Sequence, residues 1–287
     1  MPVDRPDEDD AAPDARATAV AERATPVDRV PAETRDPVTY AAELRAAVAA
    51  DRWETAAARF AERWSAHERD YPRPADADTP RRLAPDADAE VDRACDRIRD
   101  VEQRVITPAM REIETEDPDR SLVGLDHRLK GPDRLKEKVG RALEEQPDLA
   151  PSQAMSLVPD AIRFTFCYSD EHYVDGVRTD LGRLHALGFE LAKPLKNSWD
   201  DNQYKGINSQ WLEPETGQRF EVQFHTHVSF EAKQLTHCAY ERIRSSDTPD
   251  AELDELDELQ HEVCARIPVP PGAGEIEEHP REERNGR

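Results

Sequence analysis

The feature that most constrains this chain is a change of period along it. Over about Thr39–Trp64 and Ala87–Glu114 the apolar residues recur at helical spacing, whereas Ala161–Tyr168 (AIRFTFCY) and Arg219–His225 (RFEVQFH) alternate. In the first segment Ile162, Phe164 and Phe166 fall on one face and Arg163, Thr165 and Cys167 on the other. In the second, Phe220, Val222 and Phe224 oppose Arg219, Glu221, Gln223 and His225. A period of two is strand geometry. Pure βαβ alternation is absent, so the expected fold is α+β, a mixed β-sheet of about four to five strands flanked by helices.

The punctuation of the chain suggests four parts. Residues 1–36, rich in Ala, Pro, Asp and Arg without periodicity, read as a disordered acidic arm. Residues 37–86 hold a helix from about Thr39 to Trp64 and a proline-rich linker. Residues 87–246 read as the main domain. It opens with a helix over Ala87–Glu114, whose stripe is Val91, Cys95, Ile98, Val101, Val105 and Ile106, with Pro108 as a kink position. A helix over Glu171–Leu187 ends at Gly188, strands follow at Phe189–Lys193 and Gly206–Glu213, and Ser229–Ser245 is helical. Residues 247–287 hold an acidic helix, Glu252–Ile267, and a tail.

With 62 acidic against 39 basic side chains, the formal net charge is −23. Such a chain repels polyanions, which argues against non-specific binding to DNA or RNA. Ten acids against five bases in residues 1–40, and thirteen against four in 247–287, put more than half of the excess at the two ends. Asp126–Arg141 (DHRLKGPDRLKEKVGR) reverses the balance with six bases to three acids, the profile of a compact phosphate site rather than a nucleic-acid groove. No run approaches the ~20 apolar residues of a membrane helix, and the N-terminus lacks the apolar region of a secretory signal. A soluble, cytoplasmic protein without a membrane partner is expected. Cys95, Cys167, Cys238 and Cys264 form no CxxC pair and read as reduced thiols. His225 and His227 lie two apart, but no Cys or carboxylate cluster completes a zinc tetrahedron around them.

Neither GxxxxGK[ST] nor GxGxxG occurs, so phosphate binding would fall to side chains. Arg128, Lys130, Arg134, Lys136 and Lys138 come within eleven residues, and a triphosphate needs several such cations. The plainer use of such a run is an exposed, mixed-charge helix face. The polar face of Arg219–His225 is more informative. If it lines a cleft, Glu221 becomes a Mg²⁺ ligand, and Asp160, in phase with Ile162 at the mouth of the first strand, is the natural second carboxylate. Magnesium takes one or two carboxylates plus phosphate oxygens. Two acids from two strands, near a basic segment, are the parts for metal-assisted phosphoryl transfer. In a sheet packed on one side only, the same face would meet water.

Four segments in order, HRLKGPDRLKEK, DAIRFTF, YKGINS and FEVQFHT followed by a helix with HCAYERIR, resemble the synthetase domain of RelA/SpoT-type enzymes over roughly Ala87–Arg244. The resemblance implies transfer of pyrophosphate from ATP to the 3′-hydroxyl of GTP or GDP, making (p)ppGpp, with Mg²⁺ as cofactor. It implies ATP binding by Arg128 and Lys130, which match the family's RxK, by Lys138 at a following basic position, and by Arg163 on the first strand. Glu221 and Gln223 match ExQ, whose Glu is the catalytic metal ligand. His237 and Tyr240 fall where the family has a His and an aromatic on the closing helix.

The departures cluster on the acceptor side. The family's metal Asp lies five residues before the strand Arg, which here is Val158; Asp160 lies three before, on the same strand face. GYxSxH, whose Tyr stacks on the acceptor guanine, becomes Gly206-Ile207-Asn208-Ser209-Gln210-Trp211, and the Arg after ExQ becomes His225. The acceptor set expected here is therefore Tyr204 or Trp211 as the replacement ring, with Asn208, Gln223, His225 and His237. Two other readings stay open: a toxin of the same fold that pyrophosphorylates tRNA or an adenosine nucleotide, and a catalytically silent module that binds a ligand or partner. Nothing resembles the His-Asp hydrolase domain of larger members.

Overall fold

The computed structural model describes residues 53–55, 57–67, 83–156, 158–244 and 248–280. The arm expected over 1–36, the first part of the helix expected from Thr39, and the proline-rich residues 70–82 lie outside them. Helix α1 (Pro85–Val101) starts on a proline, where the missing N–H leaves no bond unmade. It begins two residues earlier than expected and buries Val91, Ala94, Cys95 and Ile98. A π-helical turn over Glu102–Ile106 leads into α2 (Thr107–Thr115). Pro108 accounts for the turn: it donates no hydrogen bond, and its ring crowds the carbonyl four residues back, so the ladder widens rather than breaks. Helices α3 (Pro132–Glu145) and α4 (Pro151–Ser156) pack on α1.

Six strands form one mixed sheet: β1 (Arg120–Val123), β2 (Arg163–Tyr168), β3 (Glu190–Leu191), β4 (Lys196–Asn197), β5 (Ile207–Glu213) and β6 (Gln218–Thr226). The order is β1-β2-β6-β5-β3, with β4 also paired to β5. Only β2 and β6 run parallel; every other pairing is antiparallel. The α+β expectation holds, with one strand more than the upper end of the expected number. Strand β1 carries no alternating apolar signal because one of its inward residues is Arg120, fully buried in an ion pair with Asp180. Asp180 comes from α5 (Tyr173–Ala186) and also accepts from Tyr168 Oη at 2.7 Å. Helix α5 ends as expected before Gly188, whose φ of +90° is a conformation glycine adopts without strain.

The strand register separates two faces. Phe164, Phe166, Phe220, Val222 and Phe224 lie on one, buried together with Val177, Leu181 and Leu184 of α5. Arg163, Thr165, Cys167, Glu221, Gln223 and His225 lie on the other, crossed by α6 (His227–Ile243). Thr226 caps α6 reciprocally with Ser229, so the strand turns into the helix with no loop between. Helix α7 (Asp250–Cys264) packs on α6 and buries Leu256, Leu259 and Val263. Among the described residues, no helix is long and apolar enough to cross a membrane.

Candidate active site on the polar face of the sheet

The basic segment reaches the sheet because its backbone joins the start of β2. Leu129 bridges to Ile162, Lys130 N–H donates to Ala161 O at 3.0 Å, and Arg163 N–H donates to Arg128 O at 2.7 Å. This sets Lys130 beside Asp160, while α3 swings Lys138 over the same carboxylate. Lys138 Nζ lies 2.7 and 2.8 Å from the two Asp160 oxygens, Lys130 Nζ 3.1 Å from Oδ2, and an Arg163 guanidinium nitrogen 3.2 Å from Oδ2. Burial alone would raise the Asp160 carboxyl, but the Lys138 hydrogen bond and the Lys130 and Lys138 charges hold it at about 2. Burial pulls the Lys130 ammonium down, against the opposing pull of Asp160.

Arg163 and Glu221 are register partners, and Arg163 Nε donates to Glu221 Oε1 at 2.8 Å. Gln223 Nε2 donates to the same oxygen at 2.7 Å. One guanidinium thus lies against both carboxylates named as a metal pair. Among the described residues, no group of three His, Cys, Asp or Glu side chains could hold a metal ion. The fit to Mg²⁺ divides between the two acids. Both described bonds to Glu221 fall on Oε1 and none on Oε2, which suits a single carboxylate ligand completed by phosphate oxygens. Asp160 has both oxygens on Lys138, so a metal there would compete with three cations.

Arg128 does not join this cluster. Its Nε donates to Glu102 Oε1 at 2.7 Å and one terminal nitrogen donates to Leu125 O at 2.8 Å. Glu102 is fully buried on the π turn. Its signal in the sequence was a carboxylate in phase with Ile98 and Ile106 on an otherwise apolar stripe.

Further along the strands the face is neutral and hydrogen-bonded. Register sets Thr165, Gln223, Asn208 and Lys196 in one row across β2, β6, β5 and β4. Half-buried Tyr204 closes the next row, its hydroxyl 2.9 Å from Asn208 Oδ1 and 2.8 Å from His225 Nε2. His225 Nδ1 lies 2.9 Å from Ser229 Oγ, the capping residue of α6. Burial, reinforced by Lys233, pushes the His225 imidazole well below its usual range, so it is neutral where the resemblance has an Arg. Gly206, at φ +149°, lets the chain pass there: a Cβ on it would sit 2.7 Å from the His225 ring.

One acceptor-side expectation is corrected. Trp211 is fully buried on the apolar face, its indole N–H donating to Ser209 Oγ at 2.8 Å and its ring against His185, so it lies on the opposite face of the sheet from Glu221 and Gln223. Ile207, the position of the family's stacking Tyr, is buried on that same face. The β5 residues that share the site's face are Asn208 and Gln210. His237 is exposed on α6, with Nε2 3.6 Å from Glu241.

Lys233 is the site residue that the motifs missed. It lies four residues after Ser229 on α6 and donates to Gln223 Oε1 in a short contact. Burial, with the Arg163 charge beside it, holds its ammonium at about 8. The signal was a lysine in phase with the helix-capping Ser229, on the helix that crosses a polar strand face.

No protein-family model matches the chain, and no curated protein matches it. Similar solved structures include a GTP pyrophosphokinase family protein from Streptococcus pneumoniae, 11% identical with a TM-score of 0.41, covering 63% of this chain and 89% of that one. Small alarmone synthetase 1 from Bacillus subtilis, bound to its product pppGpp, is 17% identical with a TM-score of 0.41, covering 58% and 87%. Small alarmone synthetase 2 from Bacillus subtilis is 14% identical with a TM-score of 0.39, covering 63% and 92%. Likeness at this level assigns neither substrate nor activity to the chain.

Proposed function

We propose that this chain is a Mg²⁺-dependent pyrophosphokinase that moves the β,γ-pyrophosphoryl group of ATP to the 3′-hydroxyl of a guanosine nucleotide. The observation that carries the reading is the convergence of Lys130, Lys138 and Arg163 on Asp160, next to Glu221. In a chain of net charge −23, that cationic pole is a place where a polyphosphate is favoured. Asp160 keeps the three cations gathered, and the triphosphate would take over their free donors. The acceptor oxygen attacks the β-phosphorus, the bond from that phosphorus to the α–β bridging oxygen breaks, and AMP leaves with the electron pair. Glu221 would draw the proton of the attacking hydroxyl, and its carboxylate would hold Mg²⁺. Mg²⁺ supplies charge neutralisation on the phosphate oxygens.

One observation favours a second reading, in which the acceptor is tRNA or an adenosine nucleotide. Ile207 is in the core and His225 is neutral, so the ring that the resemblance places on the acceptor guanine and the Arg that it has after ExQ are both gone. Tyr204 is an aromatic on the site's face, in ring contact with His225. The test is thin-layer chromatography of γ-labelled ATP with GDP, GTP, ADP, ATP or tRNA as acceptor. The proposal expects the label on a guanosine nucleotide with one AMP released per transfer. Label on tRNA or adenosine alone selects the second reading; label on no acceptor favours a silent binding module.

A further inference from the structure

Lys233 differs from the other cations of the site in what it touches. Lys130, Lys138 and Arg163 each contact Asp160, and Arg163 contacts Glu221 as well. Lys233 Nζ instead donates to the neutral amide of Gln223 and stands 5.5 Å from the centre of the Phe230 ring. Among the described residues, no carboxylate is within ion-pair reach of it. An ammonium has three N–H donors, and a half-buried cation without a counter-ion is stabilised by any anion that reaches it. Its place in the fold is equally distinctive. Asp160, Lys130 and Lys138 lie before the Arg163–Glu221 row, while Lys233 stands over the next same-face row, Thr165–Gln223–Asn208. Two residues of strand put these rows roughly 6–7 Å apart, and Glu221 lies between Lys233 and the Asp160 cluster.

We propose that Lys233 is the anchoring cation of a second anion subsite, which takes the 5′-phosphates of an acceptor nucleotide. Naming the acceptor rests on the pyrophosphate-transfer reading; the binding of an anion at Lys233 does not. The geometry gives each substrate its own pole: ATP on Lys130 and Lys138, the acceptor on Lys233, and Glu221 between them. Tyr204 and Asn208 border the Lys233 pole, where a nucleoside would extend from its phosphates.

Calorimetric titration of the full chain tests this, with inorganic pyrophosphate, GDP, ADP and α,β-methylene-ATP as probes, on wild type, Lys233→Met, Lys233→Arg and Lys130→Met. Methionine keeps the apolar stem beside Phe230; if that variant does not fold, Lys233→Gln carries the same test. The expected result is a loss of about tenfold or more in GDP or ADP affinity for Lys233→Met, as for one charge-assisted contact, with the ATP analogue little changed. Lys233→Arg should bind as wild type does, Lys130→Met should show the reverse selectivity, and pyrophosphate should weaken in both methionine variants. Undiminished GDP and ADP binding in Lys233→Met, or an equal loss for the ATP analogue, overturns the subsite. A wild type that binds the analogue but neither GDP nor ADP also overturns it, leaving the donor pole intact. Nucleoside diphosphate binding that depends on Lys233, in a protein that ignores the ATP analogue, overturns the transfer reading and leaves the subsite standing.

Discussion

The Asp160 end and the Tyr204 end of the polar face are held together by different physics. At Asp160, three cations surround one carboxylate, and the cluster is fixed by charge. At Tyr204, a neutral imidazole, an amide and two hydroxyls hold one another through directed hydrogen bonds. The first arrangement tolerates rearrangement, because ammonium groups can follow a phosphate. The second does not, because each partner has few donors and a set direction. The comparison predicts a forgiving donor site beside a shape-selective acceptor site, with Glu221 common to both.

The largest effect is expected where the two regions meet. Glu221→Gln keeps the side-chain shape and an oxygen to accept from Arg163, but removes the charge. Turnover should fall by roughly 10³-fold, the upper scale for losing one electrostatic contact to the transition state, with the thermal melt close to wild type. Turnover near wild type at saturating Mg²⁺ would remove Glu221 from the chemistry.

Trp211→Ala sharpens the contrast from outside the site. A fully buried indole lost from the core should cost about 3–5 kcal/mol of stability, measured by urea denaturation. Trp211→Phe should leave acceptor preference unchanged; a changed preference would return Trp211 to the acceptor set.

That residue also marks how far the sequence could be read. The two alternating segments and the basic run carry local signals; the structure adds the parallel pairing of the segments and brings Lys130, Lys138, Asp160, Arg163 and Glu221 together. Charge clusters are legible because a run of lysines can be seen without knowing the fold. The acceptor side was legible only in part. Which face of β5 shares the side of Glu221 and Gln223 depends on register against β6, and a shift of one residue exchanges Ile207 and Trp211 for Asn208 and Gln210. Arg128 was drawn away by Glu102, a carboxylate on a stripe read as apolar. Lys233 comes from another element and has no motif around it.

Asp160 gives a pH signature for the charged end alone. Its carboxyl is held at about 2, below the 3.8 of the free group. A depressed carboxylate contributes stability that is fully present above pH ~4 and is lost as pH falls through about 2, on the order of 2 kcal/mol. Asp160→Asn should therefore be less stable than wild type by about that much at pH 7, and the gap should close toward pH 2 in denaturant titrations. A gap independent of pH would mean that Asp160 packs rather than pairs.

The most direct test of two separate poles is a crossed kinetic measurement, using whichever acceptor takes the label from ATP. Lys130→Ala should raise the apparent KM for ATP by about tenfold or more, as loss of a charge-assisted bond does, and leave the acceptor KM in place. Tyr204→Phe, which frees His225 and Asn208 from one hydroxyl, should raise the acceptor KM about fivefold, worth roughly 1 kcal/mol, and leave the ATP KM in place. Two variants that each raise both constants alike would contradict the division of the face into a donor and an acceptor pole.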